Sequence, residues 1–176
     1  MTDKGTLRAH YLRLRAAAKS EQKDAAILQN ILRSPFAEAE SFFIYCSVGS
    51  EVATGALICA LLAAGKRVCV PRIEGDMLAV PYGPLEEGAF GIPAPRGGED
   101  TFCDVVFAPL LAADGRGVRL GQGGGYYDRY FARRPQALRV GLAYRAQLAS
   151  ELPRDTWDMP LHAVVTEEGI TRFPNT

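Results

Sequence analysis

The 176-residue chain is poor in the residues from which many functions are built. It has two histidines, His10 and His162, and four scattered cysteines, Cys46, Cys59, Cys69 and Cys103, with no C-x-x-C spacing. That pattern excludes a zinc site made from such ligands. Three of the cysteines lie in apolar runs, so all four are expected as reduced core residues of a cytoplasmic protein. Charge of one sign is missing too. Twenty basic and twenty acidic side chains cancel, and no global field draws the chain to nucleic acid or a membrane surface. The longest apolar stretch, Ala56 to Ala64, is far too short to cross a bilayer, and the polar start Met1-Thr2-Asp3-Lys4 lacks the apolar run of a secretion signal. No repeat, low-complexity tract or linker interrupts the sequence. What is present is ordinary for a globular enzyme: 48% hydrophobic and 23% charged residues, the length of one domain spanning 1–176, and enough chain to bury a core. An anionic ligand must therefore be attracted locally.

The hydrophobic period changes along the chain. Lys4 to Lys19 puts Leu7, Tyr11, Leu14 and Ala18 on one stripe at helical spacing. Ser20 is placed to cap a second helix that runs to about Leu32, with Pro35 ending the region. Residues 41–46 read as a buried strand, 54–64 as a helix stopped by Gly65, and 67–70 as a strand cut by Pro71. Residues 77–82 read as a third strand and 83–101, rich in glycine, proline and acid, as loop. Further strands are expected at 104–108, 139–143 and 163–166, with a helix at 125–134. Short apolar runs alternating with helices predict an α/β fold with a mostly parallel sheet. Ligands of such sheets bind beyond the carboxyl ends of the strands.

The most informative stretch is Gly115 to Arg129. Six glycines fall from Gly115 to Gly125, the last three consecutive after Gly115, Gly117 and Gly121, and a helix is expected next. Glycine lets main-chain N–H groups turn inward and approach a ligand closely. A helix N-terminus adds unpaired N–H groups and partial positive charge, which together make an anion site. Arg119 and Arg129 flank it, and the guanidinium fork suits phosphate oxygens. The Gly-Lys-Ser/Thr ending of the Walker loop is absent. A dinucleotide pattern starting at Gly121 and Gly123 fails because Tyr126 stands at its third glycine. The stretch is therefore a phosphate loop of another kind, suited to a nucleotide; its plain alternative is a flexible turn before a helix.

Arg119-Leu-Gly-Gln-Gly-Gly-Gly-Tyr-Tyr-Asp128 resembles the signature of the 5-formyltetrahydrofolate cyclo-ligase (5,10-methenyltetrahydrofolate synthetase) family. Other segments resemble that family in the right order. They are Lys4-Gly-Thr-Leu-Arg8, Glu51-Val-Ala-Thr54, Gly91-Ile-Pro-Ala-Pro95, Gly141 to Gln147 and Trp157-Asp-Met-Pro160. The resemblance implies a three-layer α/β/α fold similar to that of sugar-phosphate isomerases and CoA-transferases. It also implies an ATP- and magnesium-dependent enzyme that acts on 5-formyltetrahydrofolate as a monomer.

Roles follow from the resemblance residue by residue. Lys4 and Arg8, one helical turn apart, reach the ATP phosphates. Arg119, Leu120, Gly121, Gln122, Gly123, Gly124 and Gly125 form the phosphate cradle. Tyr126 and Tyr127 close over the reacting groups, and with Arg119 are the expected catalytic residues. Asp128 and Asp158 match the magnesium-associated aspartates. Val48, Glu51 and Ala53 are expected to line the folate pocket. Four positions depart from the usual pattern. Ala53 stands where many members carry an acid that contacts the pterin, Gln122 and Gly124 where some carry Arg and Lys, and His162 where an Asp is common. Three rival readings follow: a diverged relative that binds ATP but acts on another substrate, a nucleotide-binding module without activity, and, from the fold alone, a relative of the sugar-phosphate isomerases or CoA-transferases.

Overall fold

The computed structural model describes residues 2–174. Its regular elements, in chain order, begin with α1 (Lys4–Ala18), α2 (Glu21–Leu32), β1 (Ser41–Ile44), α3 (Gly55–Ala63), β2 (Arg67–Glu74) and β3 (Asp76–Pro81). Next come β4 (Leu85–Glu87), β5 (Pro93–Pro95), β6 (Val105–Ala108), β7 (Ala112–Ala113) and β8 (Arg119–Leu120). The chain ends with α4 (Tyr126–Arg133), β9 (Leu138–Leu142), β10 (Ala163–Thr166) and β11 (Gly169–Arg172). No helix among them is long and apolar enough to cross a membrane.

Seven strands form one sheet in the order β11-β10-β9-β6-β1-β2-β3. The five inner strands are parallel, and an antiparallel strand closes each edge. The expected α/β class with a mostly parallel sheet is the one observed. Each inner strand is apolar on both faces because helices cover both. Phe42, Ile44, Val105 and Phe107 pack with Ile27 and Ile31 of α2 and Leu57 and Leu61 of α3. The intervening Phe43, Val106 and Ala108 pack with Tyr130 and Phe131 of α4 on the opposite face. Strand order runs outward in both directions from the β1–β6 pair. Right-handed crossovers in opposite directions place α3 and α4 on opposite sides, and they leave a crevice beyond the carboxyl ends of β1 and β6.

Helix α1 lies apart from these two layers. Leu7 and Tyr11 rest against Leu111, Val118, Leu120 and Leu152, and Asp3 caps its first turn through the Thr6 N–H at 3.0 Å. Ser20 caps α2 through the Lys23 N–H at 3.0 Å, as its position in the sequence predicts.

Several expectations need correction. Strand β2 continues through Pro71, which stands opposite Ala79 of β3. Ala79 turns both of its backbone groups the other way, its N–H to Asp100 Oδ1 at 2.9 Å and its carbonyl to the Thr101 N–H at 2.8 Å. Proline therefore forfeits no ladder bond there. The segment 83–101, read as loop, carries the short hairpin β4–β5. Strand β11, unexpected from the sequence, pairs with β10 across Gly169. All four cysteines are free, but Cys59 is exposed on α3 and Cys46 is half-buried; only Cys69 and Cys103 lie in the core.

Gly117 turns the chain between β7 and β8 with φ +80°, and a Cβ there would lie 2.5 Å from the Leu161 carbonyl oxygen. Gly117→Ala is expected to destabilise the fold by about 2–4 kcal/mol, from overpacking plus a left-handed backbone. Urea denaturation should show a lower midpoint at unchanged slope.

Candidate active site

The crevice beyond β1 and β6 is a cavity of about 460 Å³. Tyr45 and Cys46 follow β1 into it, and Pro109 and Leu110 follow β6. Ile73 and Met77 of the β2–β3 hairpin and Phe90 and Ile92 of the β4–β5 arm add apolar surface. The glycine loop from Gly121 to Gly125, with Tyr126 and Tyr127, completes the lining. Three charged side chains enter it: Arg15, Glu51 and Arg119. An apolar cavity with a few polar anchors suits a flat organic ligand.

The loop is shaped for close approach to an anion. Gly123 and Gly125 have φ of +103° and +71°, conformations that favour glycine. Gly125 caps α4 with no side-chain hydrogen bond, so the first N–H groups of that helix are left for a ligand. Arg8 donates from Nε to the Gly121 carbonyl at 2.9 Å. Its guanidinium carbon would lie 3.3 Å from a Cβ on Gly123.

Arg119 is almost wholly buried. Nη1 donates to the Pro109 carbonyl at 3.2 Å, Nη2 lies 3.8 Å from Asp128, and Nε is buried without a partner among the described residues. The guanidinium sits 5.3 Å over the Tyr127 ring. Burial lowers its pKa, but an arginine stays charged, so a desolvated cation is held beside the loop. Tyr127 lies near Phe43 and Phe131, and burial drives its pKa far up. It stays a protonated donor at neutral pH.

Arg129 stands at the loop as the sequence suggested, but its guanidinium is committed to protein partners. It donates to Asp76 at 3.2 Å and to the Gly124 carbonyl at 2.9 Å, and it covers the Tyr126 ring at 4.9 Å. It braces the loop from outside.

The two ends of the chain meet at the edge of this site. Lys4 Nζ contacts Asp155 at 2.5 Å and Asp158 at 3.0 Å, and Asp158 also accepts the Asp155 N–H at 2.8 Å. Asp128 Oδ1 accepts the Met159 N–H at 3.1 Å. This bond ties α4 to the turn that carries Asp158. No group of three or more His, Cys, Asp or Glu among the described residues is arranged to hold a metal.

The sequence-predicted residues thus divide. Arg119, Gly121 to Tyr127 and Glu51 line the cavity. Lys4, Arg8, Asp128 and Asp158 gather beside the loop. Leu120 packs in the core. Val48 and Ala53 are exposed and lie outside the lining; Val48 serves the site only by donating its N–H to Glu51 Oε1 at 2.8 Å. His162 sits away from the aspartates, its Nδ1 accepting the Arg139 N–H at 2.8 Å. Arg15, Phe90 and Asp155 went unrecognised in the sequence. Arg15 had a signal: it stands seven residues after Arg8, on the face of α1 that also carries Lys4. Phe90 had none, because its site position comes from the hairpin arm and its left-handed backbone, φ 58°.

These features define an α/β protein with one ligand crevice at its switch point, part apolar and part anion-binding. A family model described as the 5-formyltetrahydrofolate cyclo-ligase family matches residues 1–167. The 5-formyltetrahydrofolate cyclo-ligase of Escherichia coli K12 is 34% identical over 175 residues, covering 88% of this chain and 94% of the relative. That of Haemophilus influenzae is 30% identical over 164 residues, covering 85% and 88%. The solved structure of Aquifex aeolicus 5,10-methenyltetrahydrofolate synthetase superposes with a TM-score of 0.85 at 33% identity, covering 98% of this chain and 94% of that one. The chain belongs to the 5-formyltetrahydrofolate cyclo-ligase family and is an enzyme of the ligase class.

Burial raises the Glu51 pKa; the Val48 N–H, Arg15 and Lys19 only partly offset it. A carboxyl whose folded pKa is raised favours folding below its unfolded pKa, and that advantage is lost as pH rises through the folded value. At pH 7 the ionised Glu51 is therefore a cost to stability. Glu51→Gln is expected to melt higher than wild type at pH 7, by a few °C at most. The difference should narrow as the pH approaches 4 in calorimetric scans.

Proposed function

We propose that this enzyme converts 5-formyltetrahydrofolate and ATP to 5,10-methenyltetrahydrofolate, ADP and phosphate. The observation that carries the reading is the union of two half-sites in one crevice. An apolar cavity containing Glu51 opens directly onto a glycine loop, a helix N-terminus and the cations Arg8 and Arg119. The first suits a reduced pteridine, the second a triphosphate.

The chemistry requires little covalent help from side chains. The formyl group on N5 is an amide, and its oxygen leaves poorly. Transfer of the γ-phosphoryl group to that oxygen makes a leaving group, N10 attacks the formyl carbon, and phosphate departs as the ring closes. Catalysis then consists of alignment and charge stabilisation. The loop N–H groups hold phosphate oxygens, and Arg119, desolvated and charged, faces the charge that develops between the substrates. Tyr127 supplies a fixed donor, and Tyr126 with Phe90, whose ring centroids lie 6.0 Å apart, screens the reacting groups from water.

The acidic residues fit a magnesium ion that arrives with the nucleotide. That ion needs few protein carboxylates when phosphate and water complete its shell; Asp128 and Asp158 offer oxygens of that kind, tied together through Met159. Held by these two carboxylates, the ion would supply neutralisation of charge on the phosphate oxygens. Lys4, on a flexible stem beside Asp158, can then turn to the phosphates. The departure at Ala53 takes nothing from the cavity, because that residue lies outside it. This weighs against a diverged relative with another substrate.

The test is a mixture of protein, 5-formyltetrahydrofolate, ATP and magnesium, followed by the absorbance of the methenyl product. ATP binding without product would sink the reading. Asp128→Asn is expected to raise the magnesium requirement about 10–100-fold; an unchanged requirement would remove Asp128 from the metal site. Gly123→Val should raise the KM for ATP at least tenfold, through its positive φ and contact with Arg8, and leave the KM for the folate within about threefold.

A further inference from the structure

Arg15 is a buried guanidinium, 4% exposed, on the lining of a largely apolar cavity. Its Nε donates to Ser50 Oγ at 3.0 Å and its Nη1 to the Leu110 carbonyl at 3.2 Å. Its remaining nitrogen, Nη2, makes no hydrogen bond to the described residues. Glu51 lines the same cavity in the same state of half-commitment. Its Oε1 accepts the Val48 N–H, and its Oε2 has no protein partner among them. The charged groups that act on Glu51 are Arg15 and Lys19, and Lys19 spends its ammonium on Asp24 and the Glu51 backbone carbonyl. The cavity therefore holds one uncommitted donor on a fixed cation and one uncommitted acceptor on a fixed anion. Both atoms are therefore left free to pair with a ligand that enters the cavity.

We propose that Arg15 is a second residue that recognises the pteridine ring, donating from Nη2 to the 4-carbonyl oxygen while Glu51 accepts from the adjacent ring N–H and amino group. The proposal rests on the folate reading above. The edge of a 2-amino-4-oxopteridine presents an acceptor followed by two donors, and a guanidinium beside a carboxylate presents the complement. Such a site selects by penalty as well as by attraction: a 4-aminopteridine would set a donor against the Arg15 donor and leave both unpaired.

The experiment compares tetrahydrofolate with its 4-amino-4-deoxy counterpart, both as binding partners in calorimetry and as inhibitors of turnover. Wild type is expected to bind the 4-oxo compound at least tenfold more tightly. Arg15→Met should weaken that compound about 10–100-fold, as expected for loss of a charged hydrogen bond. The 4-amino compound should stay within about threefold, and so should the KM for ATP, which also reports an intact fold. Arg15→Lys keeps the charge and one donor, and it should give intermediate discrimination if the methionine variant folds poorly. Absence of any 4-oxo preference in wild type overturns the proposal. So does an equal loss for both compounds, which marks Arg15 as a loop support only. Failure of wild type to form the methenyl product sinks the cyclo-ligase reading itself, and the calorimetric arm keeps that failure separate.

Discussion

The Leu110 carbonyl joins the parts of this site. It receives Nη1 of Arg15 from α1 and Nε2 of Gln147, at 3.2 and 2.9 Å. Gln147 also reaches the Leu111 carbonyl at 3.2 Å and accepts the Tyr144 N–H at 2.7 Å. At the switch point, the loops after β1 and β6 leave the sheet in different directions, and the sheet's own ladder does not tie their tips together. Arg15 does so, with one nitrogen on Ser50 and another on Leu110. All of these groups are largely desolvated, where a hydrogen bond to a charged group is worth about 1.5–3 kcal/mol. Arg8 and Lys4, farther along the same face of α1, reach the glycine loop and the aspartates through contacts of their own.

The electrostatics follow from that arrangement. A chain of zero formal charge gathers Lys4, Arg8, Arg15 and Arg119 around one crevice, and all three arginines donate to backbone carbonyls, Arg15 to that of Leu110. Arg8 donates to Gly121 and Arg119 to Pro109. A cation oriented by a neutral acceptor keeps most of its charge for a ligand. Arg129, Arg133 and Arg134 of the α4 region behave differently. They are neutralised by Asp76 and Asp100 on the β3 side and hold the helix and hairpin in place.

Much of this was legible in the chain. Continuous apolar runs such as 41–44 and 105–108 can be satisfied only by burial on both faces, so the parallel sheet and its helices were readable from pattern. Six glycines before a helix could be read as an anion cradle from local backbone physics alone. The folate half was harder. Val48 and Ala53 are neighbours of Glu51 in sequence, yet they fall outside the cavity, because the turn at 47–51 sends only the Glu51 side chain inward.

The sequence by itself settled whatever depends on local period and backbone freedom: the element types, the parallel core, and the loop that approaches an anion. Only the tertiary structure decided which distant groups meet there. Lys4 contacts Asp158 across 154 positions, and Arg15 reaches Leu110 across 95. A charged residue on a helix looks the same in sequence whether it faces water or a cavity. The difference arises only when packing removes the water and leaves the charge to be paired.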